Sequence, residues 1–145
     1  MKLDIEEIKK SIPHRHPFLF LDWCEVIEPG KEGIGFKKFL SEEYFFKGHF
    51  PNTPIVPGVI LIEALAQTAG TVVSISLSDQ AKRTVLFLSV TNAKFRKPVV
   101  PNDEIFLEVK IMSRVKSFYK FYGEAKKQSE KVCEAVFSAM IEKNT

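Results

Sequence analysis

The chain has 145 residues, of which 45% are apolar and 27% are charged, and its formal net charge is +3. This length suits one globular domain with a well-formed core, so we expect a single domain over residues 1–145. The charge is too small and too dispersed to indicate a nucleic-acid-binding protein.

The N-terminal part of the chain predicts one short helix, two strands and a loop. Residues 4–12 have apolar side chains near one helical face, and Asp4 is in a position to cap the helix N-terminus. The segment PHRHPF then ends this helix, because a proline disfavours helical geometry in the residue before it. The two predicted strands are residues 18–27 and 31–40, separated by a Glu-Pro-Gly turn, and residues 47–58 are the predicted loop.

A long helix is predicted over residues 59–77, VILIEALAQTAGTVVSISL. As a helix this run measures roughly 28 Å, close to the hydrocarbon thickness of a membrane. However, it contains Glu63 and Gln67 and lacks a flanking aromatic belt. We therefore expect the buried helix of a soluble protein, which is apolar all round when a sheet wraps it, and no membrane insertion.

Alternating apolar residues predict further strands after the long helix. They cover residues 84–95, 104–114, 117–127 and 131–142, and KKQSEK is the hairpin loop between the last two. The order of elements predicts an α+β fold in which these strands form a four-strand meander and one sheet face covers the long helix. Because one sheet cannot cover a helix on every side, we expect a symmetric dimer to bury the remaining apolar face.

Cysteine and phenylalanine usage adds two expectations. Cys24 and Cys133 have no metal-site spacing and are too few for a disulfide framework, so they should be free, buried thiols. The thirteen phenylalanines indicate either a Phe-rich core or an aromatic-lined pocket for an apolar ligand. The N-terminus lacks the apolar core of a secretory signal, which favours a cytoplasmic protein.

Three residues in the segment 46–70 form a candidate acid–base site. Neutral imidazole is a good proton acceptor, which suits His49 to the role of a base. An apolar environment keeps a carboxyl protonated, which suits Glu63 to the role of an acid. Gly58, at the predicted start of the long helix, has a backbone N–H that can stabilise an oxyanion. This set suits β-elimination of water next to a carbonyl, or its reverse, although a structural histidine and an ion-paired glutamate remain alternatives.

The chain resembles the 3-hydroxyacyl-[acyl-carrier-protein] dehydratases of bacterial fatty-acid synthesis. PHRHPFLFLD, GHFPNTPIVPGVILIEALAQTAG and KFRKPVVPND are similar to the three signature blocks of that family and occur in the same order. The resemblance implies a hot-dog fold, in which an antiparallel sheet of about six strands wraps a long central helix. It also implies homodimers, often assembled as trimers of dimers, with active sites at the dimer interface.

The same resemblance implies the reaction and the roles of the candidate residues. A (3R)-hydroxyacyl chain on acyl carrier protein would lose water to give a trans-2-enoyl chain, without a cofactor or a metal, for fatty-acid and lipid A synthesis. His49 would remove the C2 proton, Glu63 of the other subunit would protonate the departing 3-hydroxyl, and the Gly58 N–H would hold the thioester oxygen. Further candidates are Gln67, which could orient the Glu63 carboxyl, and a set that could line an acyl tunnel or belong to the core: Phe18, Phe20, Phe50, Val59, Ile60 and Ile62.

Two groups of basic residues have less specific signals. Lys94, Arg96 and Lys97 are either part of the surface that meets the acidic carrier protein or a solvated strand end. His14 and His16 lack a third ligand for a tetrahedral zinc site, so we expect no metal. The PHR block should instead shape the floor of the active site or pack against the start of the long helix.

The sequence departs from the family pattern at two positions, and two other function classes remain as alternatives. The family commonly has Tyr or Pro at the position of His16 and Gly at the position of Asn102. Asn tolerates the left-handed turn conformation that Gly adopts. Glu rather than Asp at position 63, in a short chain, resembles the branch without isomerase activity. The alternatives are a hot-dog acyl thioesterase, which would not need His49, and a non-enzymatic acyl-binding module, against which the absence of a preceding helix-turn-helix counts.

Overall fold

The structure is a computed structural model that describes residues 1–77, 79 and 81–143. Over these residues the chain forms one antiparallel sheet of seven strands, two α-helices and a short 3-10 helix. The strands are β1 (Lys2–Leu3), β2 (Trp23–Glu28), β3 (Glu32–Lys38), β4 (Arg83–Phe95), β5 (Glu104–Val115), β6 (Phe118–Lys127) and β7 (Glu130–Lys143). The helices are α1 (Ile5–Ser11) and α2 (Gly58–Ser76), and the 3-10 helix is Tyr44–Lys47.

The sheet wraps α2, which confirms the predicted α+β hot-dog fold. Strands β2 to β7 and helix α1 all contact α2. Helix α1 begins where the sequence predicts, because the Asp4 carboxylate accepts from the Glu7 amide at 2.9 Å and the Glu7 carboxylate accepts from the Asp4 amide at 3.1 Å. These reciprocal bonds satisfy amide groups that a helix N-terminus otherwise leaves without acceptors.

The predicted four-strand meander is wrong in one connection. The sheet order is β1-β2-β3-β5-β6-β7-β4, so β4 pairs with β7 and β5 pairs with β3. Residues 96–103 between β4 and β5 are too many for a tight hairpin and include two prolines. They lead from β4, at one edge of the sheet, to the position of β5 between β3 and β6. Alternating apolar residues identify strands but carry no information about which strands pair.

The start of one strand and the presence of another also differ from the prediction. Residues 18–22 are not part of a strand, and β2 begins at Trp23, because the Phe20 amide and the Phe18 carbonyl bond the side chain of Gln67 instead of a neighbouring strand. Strand β1, which has two residues and was not predicted, pairs with β2 at the sheet edge.

A run of exposed apolar side chains that could contact a partner lies on β4, whereas most of α2 is buried. Residues of this chain alone bury 78% of the apolar stretch of α2, so the expectation of an uncovered helix face is wrong, and α2 is a core helix. Among the strands of the described residues, β4 bonds only β7, and its apolar side chains are exposed on both faces of the sheet. They include Leu86, Phe87, Leu88, Val90 and Phe95.

Both cysteines are free and buried, as predicted. Burial raises the pKa of the Cys24 thiol to about 12 and that of the Cys133 thiol to about 11. Both thiols are therefore protonated near neutral pH and are poor nucleophiles.

Two glycines in β3 set the distance between the sheet and α2. Gly33 and Gly35 face the helix, and Ile34 and Phe36 point to the other side of the sheet. A Cβ atom at Gly35 would overlap the side chains of Thr68 and Leu21. The absence of side chains at these two positions of β3 thus allows α2 to lie against the strand.

Replacing Gly35 with alanine should lower the free energy of unfolding by about 1–3 kcal/mol, because the added methyl group overpacks the contact with α2. Chemical denaturation measures this loss. Gly48→Ala is the matched control, since a Cβ there has nothing within 4 Å and its φ is −106°. An equal loss in both variants would contradict the close helix–strand contact.

Candidate active site

The loop that follows the 3-10 helix holds His49 in one orientation. Its ring Nδ1 lies 2.9 Å from the carbonyl oxygen of Ile55, and its own carbonyl accepts from the Ile55 amide at 2.8 Å. The ring stacks on Phe50 at a centroid distance of 4.2 Å, and the His49–Phe50 peptide bond is cis. A carbonyl oxygen can only accept, so Nδ1 carries the hydrogen and Nε2 of the neutral ring carries the lone pair. This tautomer is the one a general base requires.

His49 lines an open, largely apolar pocket of about 440 Å³ at the N-terminus of α2. Among the predicted site residues, the pocket is also lined by Phe50, Gly58, Val59, Arg96 and Lys97. Phe50 and Val59 are 50% and 72% exposed, so they can contact a ligand. Phe20, Ile60 and Ile62 are buried in the core, and neither they nor Phe18 line this pocket.

The first residue of α2 is Gly58, and Pro57 is its N-cap rather than a first-turn residue. The first amide groups of a helix have no intrahelical acceptor, and the helix dipole favours negative charge beside them. A Cβ atom at position 58 would collide with the ring of Phe95, the last residue of β4. A glycine is therefore needed here for packing, and its bare backbone also lets a ligand oxygen approach the N–H.

Glu63 lies in the second turn of α2, and two side chains contact one of its carboxyl oxygens. Gln67 Nε2 donates to Glu63 Oε2 at 2.9 Å, and His14 Nε2 lies 3.4 Å from the same oxygen. The side chains of His14 and Glu63 are only 15% and 18% exposed. Gln67, one turn further along α2, is completely buried.

The structure thus divides the predicted site residues into two groups. His49, Phe50, Gly58 and Val59 line one pocket, whereas Glu63 does not line it. Glu63 and Gln67 instead form a second group with His14. A single chain therefore does not bring the candidate base and the candidate acid to one pocket.

Sequence reasoning missed the contact between His14 and Glu63. The sequence predicts that the PHR block shapes the active-site floor or packs against the start of the long helix. Among the described residues, no cluster of three or more potential metal ligands is found. The available signal was the block itself, a histidine next to an arginine immediately after a proline. The spacing in the chain, about fifty residues, could not show that His14 faces Glu63.

Two of the three basic residues near the pocket are ion-paired. Arg96 pairs with Glu134, and Lys97 Nζ lies 2.6 Å from Glu130 Oε2. Glu134 also pairs with Lys131 at 2.7 Å. Hydrogen bonds from Lys131 and then from Arg96 lower the pKa of the Glu134 carboxyl to about 2. Lys94 has no ion pair within the described part of the chain.

Comparisons of the sequence with known proteins identify close relatives. A family model described as a FabA-like domain matches residues 12–136. The 3-hydroxyacyl-[acyl-carrier-protein] dehydratase FabZ of Caulobacter vibrioides is 46% identical over 140 residues, which cover 96% of this chain and 88% of that protein. The protein of the same name from Syntrophotalea carbinolica is 40% identical over 141 residues and is covered to 96%, with 97% of this chain aligned.

Solved structures show the same fold at low identity. The dehydratase heterocomplex ApeI:P from Xenorhabdus doucetiae has a TM-score of 0.79 at 13% identity, with 95% of this chain and 91% of that chain covered. A hypothetical thioesterase with coenzyme A from Streptococcus pneumoniae has a TM-score of 0.61 at 11% identity, with 96% and 94% covered. Since chains named as a dehydratase and as a thioesterase share it, the fold alone does not choose between these activities.

The depressed pKa of Glu134 predicts an acid-sensitive contribution to stability. The carboxylate ion pairs contribute fully above the unfolded-state pKa, about 4.3, and the contribution is lost as the pH falls towards 2. The melting temperature of Glu134→Gln should therefore fall less steeply than that of the parent protein between pH 5 and pH 2, as measured by scanning calorimetry. Glu42→Gln, at an exposed loop carboxylate, is the control, and equal slopes for Glu134→Gln and the parent would contradict the assignment.

Proposed function

The chain belongs to the FabA-like family as a 3-hydroxyacyl-[acyl-carrier-protein] dehydratase, and from this membership we propose that His49 is its general base and Glu63 its general acid. The substrate is a (3R)-hydroxyacyl chain on acyl carrier protein, and the product is the trans-2-enoyl chain of fatty-acid elongation. The observation that carries the assignment is the bond between His49 Nδ1 and the Ile55 carbonyl, which leaves a basic Nε2 on a ring that lines the pocket.

The elimination uses one base, one acid and one oxyanion donor. His49 Nε2 takes the C2 proton, and the electrons of that bond form an enolate whose thioester oxygen accepts from the Gly58 N–H. The C3–O bond then breaks, the C2–C3 double bond forms, and Glu63 gives its proton to the departing hydroxyl, which leaves as water. Proton exchange afterwards returns His49 to its neutral form and Glu63 to its protonated form. These steps use side chains and backbone alone and call for no cofactor.

The active enzyme is a homodimer in which Glu63 of one chain completes the pocket of the other. Two observations support this proposal. Glu63 does not line the pocket of its own chain, and the apolar surface left exposed lies on β4. Phe95, the last residue of β4, lines the pocket, so a partner bound along β4 would lie beside it. The family's frequent trimer of dimers is a further assembly of this unit.

The basic side chains at the pocket suit the binding of an acidic carrier protein. The reaction then takes place in the cytoplasm. Arg96 and Lys97 line the pocket, and Lys94 lies nearby in β4. Complementary charge mainly speeds and orients encounter, and exchange of the Glu130 and Glu134 carboxylates for those of the carrier protein would keep both cations paired.

The dehydratase assignment is tested with a 3-hydroxyacyl thioester on acyl carrier protein, following enoyl absorbance and free thiol together. His49→Ala and Glu63→Gln should each lower kcat by roughly 10²- to 10⁴-fold, because each removes a proton-transfer group. His16→Asn, at an exposed histidine outside the pocket, is the control. Thiol release that survives His49→Ala would instead identify the alternative, a hot-dog thioesterase. The absence of both enoyl absorbance and free thiol would favour an acyl-binding module.

The two-chain site makes a separate prediction about mixtures of inactive variants. Co-expressed His49→Ala and Glu63→Gln chains form heterodimers in which one of the two sites has both groups. Random pairing should restore about one quarter of the parent activity. Leu88→Glu, which puts a charge on exposed β4, should lower the mass of the assembly and abolish activity. Mixtures that remain inactive while dimers form would place both groups of each site on one chain.

A further inference from the structure

The proposed proton transfers assign no role to the contact between His14 and Glu63. His14 Nε2 and Gln67 Nε2 both approach Oε2 of Glu63, at 3.4 Å and 2.9 Å. We propose that His14 is a positioning residue for the general acid, which directs the proton of Glu63 onto Oε1. This inference rests on the proposed function, since it assigns a partner to the acid of that site.

The chemistry of a protonated carboxyl explains the consequence. A neutral carboxylic acid has one accepting oxygen and one O–H group. Since Oε2 accepts from the Gln67 amide and faces His14 Nε2, the proton of the acid form is carried by Oε1. The acid then presents its proton in one orientation, and positioning of a reacting group lowers the barrier by avoiding a search through other orientations. The 3.4 Å separation can shorten when substrate binds, as often happens in active sites.

The segment around His14 is held on both sides. The Arg15 guanidinium donates to the carbonyl oxygens of Lys9, Ile12 and His14, at 3.0, 3.0 and 2.7 Å. Further along, the backbone of residues 18–20 bonds the buried Gln67 side chain. The imidazole and the carboxyl therefore belong to one rigid frame built on α1 and α2.

Burial of His14 is not explained by stability. Its Nδ1 atom is buried and has no hydrogen-bond partner among the described residues. Leaving a buried polar atom without a partner costs free energy, and an apolar side chain at this position would avoid that cost. A residue kept only for packing would thus be better replaced by leucine, which separates a positioning role from a structural one.

The test compares His14→Leu and His14→Gln with the parent enzyme in the coupled enoyl assay. His14→Leu should lower kcat roughly 10- to 100-fold, as expected for loss of a polar partner of an ionisable group, with KM within about twofold and an unchanged or raised melting temperature. His14→Gln keeps an N–H donor near the Nε2 position and should recover most of kcat. Leucine and glutamine variants that are equally slow, or a leucine variant with a lowered melting temperature, would overturn the inference.

A double-mutant cycle with Glu63→Gln isolates the coupling. If His14 acts through Glu63, adding His14→Leu to Glu63→Gln should change the residual rate by less than about twofold. A further loss equal to that of His14→Leu alone would show that His14 acts elsewhere. If His14→Leu keeps the parent kcat while Glu63→Gln is inactive, only the positioning role of His14 is overturned. If Glu63→Gln keeps the parent kcat, the proposed role of Glu63 as general acid is overturned as well.

Discussion

The buried side-chain amide of Gln67 connects the central helix α2 to residues 18–20 and to the carboxyl of Glu63. Its oxygen accepts from the Phe20 amide at 2.7 Å, and its nitrogen donates to the Phe18 carbonyl at 3.0 Å and to Glu63 at 2.9 Å. The Phe20 amide is buried and would have no partner without Gln67, and an unpaired buried polar group is costly in a medium of low dielectric. Through these bonds, Gln67 holds the segment that follows the PHR block against α2 and keeps residues 18–20 out of strand β2. The same side chain orients the Glu63 carboxyl.

The pocket that His49 lines depends on a different constraint, the start of α2. The helix begins directly after a proline, and the loop before it turns His49 towards the same pocket as the first free amide groups. Glu63 lies more than one turn into the helix, and its carboxyl is held towards His14 and away from that pocket. The distance between the two halves within one chain is what makes a second chain necessary for the proposed chemistry. The exposed apolar surface of β4, which ends at the pocket wall, is the surface that such a chain would cover.

The fold supplies the frame but does not select the reaction. Chains named as a dehydratase and as a thioesterase share this architecture with little sequence identity. In the proposed mechanism, the choice of elimination over hydrolysis rests on two side chains: a histidine whose Nδ1 hydrogen is engaged, and a shielded carboxyl with one oxygen occupied. Family membership rests on a match over nearly the whole chain, and the middle signature block holds the residues of the candidate site.

The sequence by itself determined the element types, the capped first helix, the long buried helix, the free thiols and the family, because these depend on local periodicity, capping residues and short motifs. It also singled out His49, Gly58, Glu63 and Gln67 as site candidates, since each belongs to a single block of the chain. The tertiary structure alone decided that β4 pairs with β7, that the exposed apolar surface lies on β4 rather than α2, and that His14 faces Glu63. These features are contacts between residues far apart in the chain, and the order in which strands pair or loops return to a helix is set by packing of the whole molecule, which no local pattern encodes.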